Sequence, residues 1–107
     1  MPDALLDQIK KDIDSSPIVL FTKGTADMPM CGFSARAIAI FKGLGRPFKT
    51  VDILPDPRVR QTLSAYTNWP TIPQIFIKGK FIGGCDIVTE MYQKGELQPL
   101  VEAAFQK

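Results

Sequence analysis

Apolar residues recur at helical spacing from the start of the chain. Leu6, Ile9 and Ile13 share one side while Lys10, Lys11 and Asp12 take the other, which predicts an amphipathic helix over residues 3–15. Ser15-Ser16-Pro17 ends it, since a proline neither donates to a helix nor tolerates a helical residue before it. The run Ile18-Val19-Leu20-Phe21 is short and unbroken, the pattern of a strand buried on both faces, and Lys23-Gly24 closes it. Residues 25–30 are polar and contain Pro29. They read as a loop that delivers Cys31 to the start of a second helix, with Ala37, Ile38, Phe41 and Leu44 inward and Gly43 and Gly45 as its end. Residues 48–53 alternate like a strand. Residues 56–67 follow as a third helix with Val59 and Leu63 inward, and Asn68-Trp69-Pro70 is a loop. Two apolar runs, Ile75-Phe76-Ile77 and Phe81-Ile82-Gly83, flank Lys78-Gly79-Lys80 and predict a hairpin. Helices are expected from about Asp86 to Lys94 and from Glu96 to about Phe105.

The element order is therefore α-β-α-β-α-β-β-α-α. It predicts an α/β fold: a four-stranded mixed sheet, with a parallel pair followed by a hairpin, flanked by helices on both faces. No repeat, linker or low-complexity tract interrupts it. At 107 residues and 11.9 kDa, with 45% hydrophobic and 22% charged residues, the chain is expected to form one domain over residues 1–107.

Charge narrows the partners. Thirteen Lys and Arg against eleven Asp and Glu give a net charge of +2 with the signs mixed along the chain, so no nucleic acid is expected. No apolar run approaches the roughly 20 residues of a spanning helix, so no membrane is expected either. The start, Met1-Pro2-Asp3-Ala4-Leu5-Leu6-Asp7, carries acids where a secretory or transit segment carries bases. That predicts a cytoplasmic location, or an organelle matrix if an import segment has been removed. The two cysteines, Cys31 and Cys85, cannot build a disulfide framework and are expected as free thiols in a reducing compartment. The absence of histidine removes the usual general base, the Ser-His and Cys-His pairs and the commonest zinc ligand.

The chemistry centres on Cys31-Gly32-Phe33-Ser34 at a loop-helix junction. A cysteine in isolation is usually a small buried hydrophobe, but the first turn of a helix offers unpaired N–H groups and a positive dipole end that favour thiolate. The dipole contributes typically ~0.3–1 kcal/mol and one pKa unit is ~1.36 kcal/mol, so the helix end lowers a thiol by under one unit. A cation is expected to add the rest, with Lys23 the candidate and the Ser34 hydroxyl a hydrogen-bond donor. Ser34 also occupies the place where a dithiol enzyme carries its resolving cysteine, so intramolecular resolution is unavailable. Trp69-Pro70-Thr71-Ile72-Pro73 reads either as a cis Ile72-Pro73 bond beside a ligand or as an ordinary trans turn. Gly83-Gly84-Cys85-Asp86 offers backbone N–H groups at a helix start for a carboxylate, or a tight turn with Asp86 as N-cap.

In order and spacing, Lys23-Gly24, Pro29, Cys31-Gly32-Phe33-Ser34, Trp69-Pro70-Thr71-Ile72-Pro73-Gln74 and Gly83-Gly84-Cys85-Asp86 resemble the monothiol glutaredoxins of the CGFS type, single-domain branch. The likeness spans residues 3–105. It implies a thioredoxin-like fold with cis Pro73 and a glutathione site. By the same resemblance Cys31 is the active thiol and metal ligand, and Lys23 and Arg60 hold glutathione's glycine carboxylate. Backbone groups of Ile72 then pair with its cysteine, and Cys85 and Asp86 receive its γ-glutamyl end. Ligand counting fits a shared 2Fe-2S cluster. Four ligands are needed and one chain offers one well-placed thiolate, so two chains with two glutathiones complete the set. The resemblance implies that homodimer, heterodimers with a BolA-like protein in which a partner histidine replaces one thiol, and transfer to iron-sulfur acceptor proteins. The alternative is glutathione-dependent thiol-disulfide exchange, that is, deglutathionylation.

Overall fold

Side-chain alternation along two central strands decides how the layers are built. In the computed structural model, which describes residues 4–106, the first helix α1 spans Ala4–Asp14 and leads to β1, Ile18–Thr22. Then come α2 (Gly32–Leu44), β2 (Lys49–Asp52), α3 (Pro57–Thr67), β3 (Gln74–Ile77), β4 (Lys80–Gly83), α4 (Cys85–Gln93) and α5 (Leu97–Ala104). Asp3, the expected first residue of α1, lies outside the described residues, as do Met1 and Pro2 of the start read for targeting.

The sheet order is β2-β1-β3-β4, with β1 and β2 parallel and the other pairs antiparallel. On one face Ile18 and Leu20 of β1 join Ile75 and Ile77 of β3 beneath α2, α4 and α5. On the other, Val19 and Phe21 join Phe76 beneath α1 and α3. A strand covered on both sides has no polar face, which is why β1 is apolar at Ile18, Val19, Leu20 and Phe21. This is the thioredoxin-like architecture. No helix among the described residues is long and apolar enough to cross a membrane.

Three expectations shift in detail. Gly43 does not end α2; its Cβ position has no neighbour within 4 Å, and the helix runs past it to Leu44. Gly45 alone supplies the left-handed cap, at φ 79°. Leu6 is only half-buried, whereas Ile9 and Ile13 are fully inward. Asp86 is not the N-cap of α4; Gly84 is, and Asp86 falls in the first turn.

The fully buried polar residues among those described are Thr22, Ser34 and Gln74, and each ties down a loop at the same end of the sheet. The Thr22 hydroxyl donates to the Gly24 carbonyl (2.9 Å), and the Ser34 hydroxyl accepts from the Lys23 N–H (3.1 Å). The Gln74 amide donates to the carbonyls of Trp69 (2.9 Å) and Thr71 (3.2 Å) and accepts from the Thr67 hydroxyl (2.9 Å). Most buried polar groups are satisfied, and these three, each satisfied, mark where backbone outside the ladder is fixed. Gln74→Leu preserves bulk and strands the carbonyls that Gln74 holds. Urea unfolding is expected to show a loss of roughly 2–3 kcal/mol. A loss below about 0.5 kcal/mol would show that the 69–71 loop does not depend on this amide.

Candidate functional site

The end of the sheet pinned in this way carries a groove. Gly24 turns the chain out of β1 at φ 88°, and a Cβ there would come within 2.4 Å of the Met28 carbonyl oxygen and 2.7 Å of the Met30 nitrogen, so only glycine fits. The Gly24 N–H donates to the Asp52 carboxylate (2.9 Å), which also accepts from the Leu54 N–H (3.0 Å) and so joins this loop to the end of β2. The loop closes on itself through Thr25 N–H to Met28 carbonyl (3.1 Å), Met30 N–H to Lys23 carbonyl (2.8 Å) and a bridge between Gly24 and Pro29. It delivers Cys31 as the N-cap of α2, in extended backbone and without a side-chain cap bond.

A cap residue that withholds its side chain leaves the first-turn N–H groups for other acceptors. None is capped by a side chain here, and together they favour a thiolate at the Cys31 sulfur. The Cys31 thiol is held below its ordinary value chiefly by the Ser34 N–H, against the upward push of burial, with the Phe33 N–H, the Lys23 ammonium and the Ser34 hydroxyl adding to the lowering. Lys23 therefore contributes, but less than the amides. The expectation that a cation supplies most of what the helix end lacks is corrected, because hydrogen bonds act at contact while the ammonium acts through partly solvated space.

The groove, of about 290 Å³, gathers every residue singled out for the site: Lys23, Cys31, Arg60, Ile72, Cys85 and Asp86 all line it. Lys23 and Arg60 are also on the wall of a second, more open depression toward Leu54 and Pro57. Arg60 reaches across from α3 with its guanidinium 3.5 Å from the Pro70 carbonyl. The Ile72-Pro73 bond is cis, and Ile72 stands two residues before Gln74, the first residue of the ladder to β1. Cys85 is buried at the first position of α4, its sulfur 3.8 Å from the Thr89 hydroxyl, whereas Asp86 is exposed. The groove thus meets two helix starts, α2 and α4, neither capped by a side chain. Both favour anionic ligand groups.

Sequence reasoning gave no individual role to Phe33, Trp69 and Thr71, which also line the groove; Gly84, expected to open backbone N–H groups to a ligand, lines it too. Trp69 ends a ladder of ring contacts that rises from the core: Phe21 to Phe76 (5.6 Å), Phe76 to Phe81 (5.4 Å) and Phe81 to Trp69 (5.6 Å). A Cβ on Gly84 would sit 3.1 Å from the Trp69 indole nitrogen and 3.2 Å from the Pro73 carbonyl oxygen, which ties the second glycine of Gly83-Gly84 to close packing. The signal for Trp69 was its place beside Pro70 in an otherwise polar loop.

The glutaredoxin family model matches residues 18–82. Glutaredoxin 4 of Pasteurella multocida (strain Pm70) is 51% identical over 96 residues, which is 90% of this chain and 88% of its own length. A Synechocystis protein named "uncharacterized monothiol glutaredoxin ycf64-like" is 46% identical over 101 residues, covering 94% of this chain and 92% of itself. The chain belongs to the monothiol glutaredoxin family. The fold agrees with a crystal structure of a buckwheat glutaredoxin-glutathione complex at a TM-score of 0.84 and 29% identity, over 96% of both chains.

Because its pKa is lowered, Cys31 holds a larger thiolate fraction than an ordinary thiol near and below neutral pH, a fraction that shrinks as pH falls. At pH 6.5 a free thiol of pKa near 8.5 is roughly 1% thiolate. Iodoacetamide is therefore expected to alkylate Cys31 several-fold faster than glutathione at that pH, as read by mass spectrometry. Equal rates would remove the helix-start thiolate from the site.

Proposed function

We propose that this monothiol glutaredoxin carries a 2Fe-2S cluster between two copies of itself, held by the two Cys31 thiolates and two bound glutathiones, and passes it to acceptor proteins. The observation that carries the reading is one half-exposed thiol, its pKa lowered at the start of α2, beside a groove lined by Lys23 and Arg60. Among the described residues no group of three or more His, Cys, Asp or Glu side chains could hold a metal ion, so one chain supplies too few ligands. The donor set fits the cluster only when it is shared, because Cys31 then needs one partner thiolate and two small thiols to complete four ligands. When bound, the cluster supplies exchangeable iron and sulfide.

This chain's own residues do the rest. Lys23 and Arg60 hold the glycine carboxylate of glutathione, backbone groups of Ile72 align its cysteine, and the α4 start at Cys85 and Asp86 takes the γ-glutamyl end. The peptide is thereby fixed with its sulfur beside Cys31. Ligands that exchange with solution favour release over permanent retention. In a heterodimer with a BolA-like protein, a histidine of the partner takes the place of one thiol.

A second reading draws on the same thiolate. Cys31 attacks the glutathione sulfur of a mixed disulfide, the substrate thiol leaves with the electron pair of the broken S–S bond, and a second glutathione resolves the enzyme. The buried Ser34 hydroxyl cannot do so, which makes glutathione obligatory in both readings.

Anaerobic reconstitution with iron, sulfide and glutathione is expected to give a coloured dimer, and a colourless monomer when glutathione is omitted, measured by absorbance and mass. Cys31→Ser is expected to lose colour and dimer together. A colourless wild-type monomer that turns over glutathione mixed disulfides rapidly would select the second reading instead. Lys23→Ala is expected to weaken glutathione binding roughly tenfold, about 1.4 kcal/mol, by calorimetry. Unchanged affinity would take Lys23 out of the carboxylate site.

A further inference from the structure

The most exposed large apolar side chains among those described are Met28, Met30 and Phe33, at 70%, 66% and 63%; the next, Tyr66, is 49% exposed. All three flank Cys31 in sequence, and the loop bearing the two methionines is fixed by its own backbone bonds to Lys23 and Thr25. Phe33 lines the groove, whereas Met28 and Met30 do not. The methionines thus precede the thiol closely in the chain without lining the groove. Met91, by contrast, is packed against the core.

We propose that Met28 and Met30 form an oxidation-sensitive collar whose sulfoxides prevent two copies of this chain from meeting at Cys31, while the glutathione groove stays intact. The inference rests on the shared-cluster reading above. Two chains whose Cys31 sulfurs bind one small cluster must bring the residues beside those sulfurs against each other, so an apolar collar there is covered in the dimer. Such a collar suits contact between copies of the same surface, since an isologous interface sets each residue near its counterpart.

The chemistry is an oxygen-atom transfer from a hydroperoxide. The thioether sulfur takes the terminal peroxide oxygen, the O–O bond breaks, an S–O bond forms, and two electrons pass from sulfur to the peroxide. With hydrogen peroxide, water leaves with both hydrogens. The product is a polar, chiral sulfoxide in place of a flexible apolar group. A strong acceptor in a closing apolar contact goes without the hydrogen bonds it makes in water. Thiols readily reverse disulfide formation at Cys31, but removal of the sulfoxide is the work of methionine sulfoxide reductases. The collar therefore records oxidant exposure for longer than the thiol does. It also separates two capacities of one surface: cluster sharing is lost and glutathione binding by the monomer is kept.

The test caps Cys31 as its glutathione mixed disulfide, treats the metal-free protein with hydrogen peroxide, and confirms by peptide mass one added oxygen on each of Met28 and Met30. Dithiothreitol then frees Cys31, and the protein is reconstituted anaerobically with iron, sulfide and glutathione. The coloured dimer is expected to fall at least fivefold relative to untreated protein, while glutathione affinity of the metal-free monomer by calorimetry changes less than twofold. Methionine sulfoxide reductases A and B together are expected to restore the dimer. The double variant Met28→Leu with Met30→Leu keeps the apolar collar without the sulfurs, and is expected to dimerise before and after the same treatment. Full dimerisation of the oxidised wild type would overturn the proposal, as would equal loss in the leucine variant or a parallel fall in glutathione affinity. Untreated protein that forms no glutathione-dependent dimer would overturn the shared-cluster reading itself, and the collar with it.

Discussion

One hydroxyl holds the site together. Ser34 is fully buried in the first turn of α2, and its oxygen accepts the N–H of Lys23 at the end of β1. That bond fastens a helix start to a strand end across the loop of residues 24–30. Because the hydroxyl accepts there, it keeps its own hydrogen, which together with the N–H groups of the first turn favours a thiolate at Cys31. Core packing of Ala37, Ile38 and Phe41 holds the rest of α2 and the loop keeps its own backbone bonds, so this fastening acts on the first turn that carries the thiol. The contribution of a hydrogen bond to a charged acceptor depends on its being held in line before the charge arrives.

Charge is used sparingly. The whole chain is nearly neutral at +2, and its visible ion pairs, Arg46–Glu102, Lys49–Asp12, Arg58–Asp56 and Lys94–Glu90, are solvated pairs of little energetic weight. The groove instead combines two uncapped helix starts with Lys23 and Arg60, none of which forms an ion pair among the described residues. With Lys23 and Arg60 set against the single carboxylate of Asp86 on its lining, the groove favours ligands that bring carboxylates and a thiolate. The chemistry of a γ-glutamyl thiol tripeptide matches that demand without a metal or a histidine in the protein.

Much of this was legible in the chain. The unbroken run Ile18-Val19-Leu20-Phe21 announced a doubly covered strand, and each element appeared in order, because period and punctuation are local properties. Gly43 misled since an exposed helix glycine costs only about 1 kcal/mol against alanine, too little to end a helix that packs well on its other face. Arg60 was legible only through the family resemblance, as nothing in the periodicity of α3 distinguishes it from Arg58, which pairs with Asp56. The ranking of causes at Cys31 was out of reach. It depends on distances between an amide, an ammonium and a sulfur that no spacing encodes. Trp69 escaped because its position is set by the ring ladder through Phe81 and Phe76, contacts between residues far apart in sequence.

Burial separates the two kinds of surface around the thiol. Below Cys31 the polar residues are inside and satisfied: Thr22, Ser34 and Gln74 hold the groove's walls to the sheet. Beside it the order is inverted, with the apolar side chains of Met28, Met30 and Phe33 left in solvent. The first arrangement fixes two walls of the groove, the Lys23 turn with the α2 start and the 69–71 loop, to the sheet by hydrogen bonds. The second leaves apolar area to be covered by another surface at about 25 cal/mol per Å². Phe33 belongs to both, lining the groove and standing in the exposed patch, so a peptide seated in the groove and a second chain approaching the thiol would share that ring. If two chains share a cluster as proposed, occupation of the groove would complete the surface on which the second chain rests, and glutathione would be part of the interface as well as a ligand.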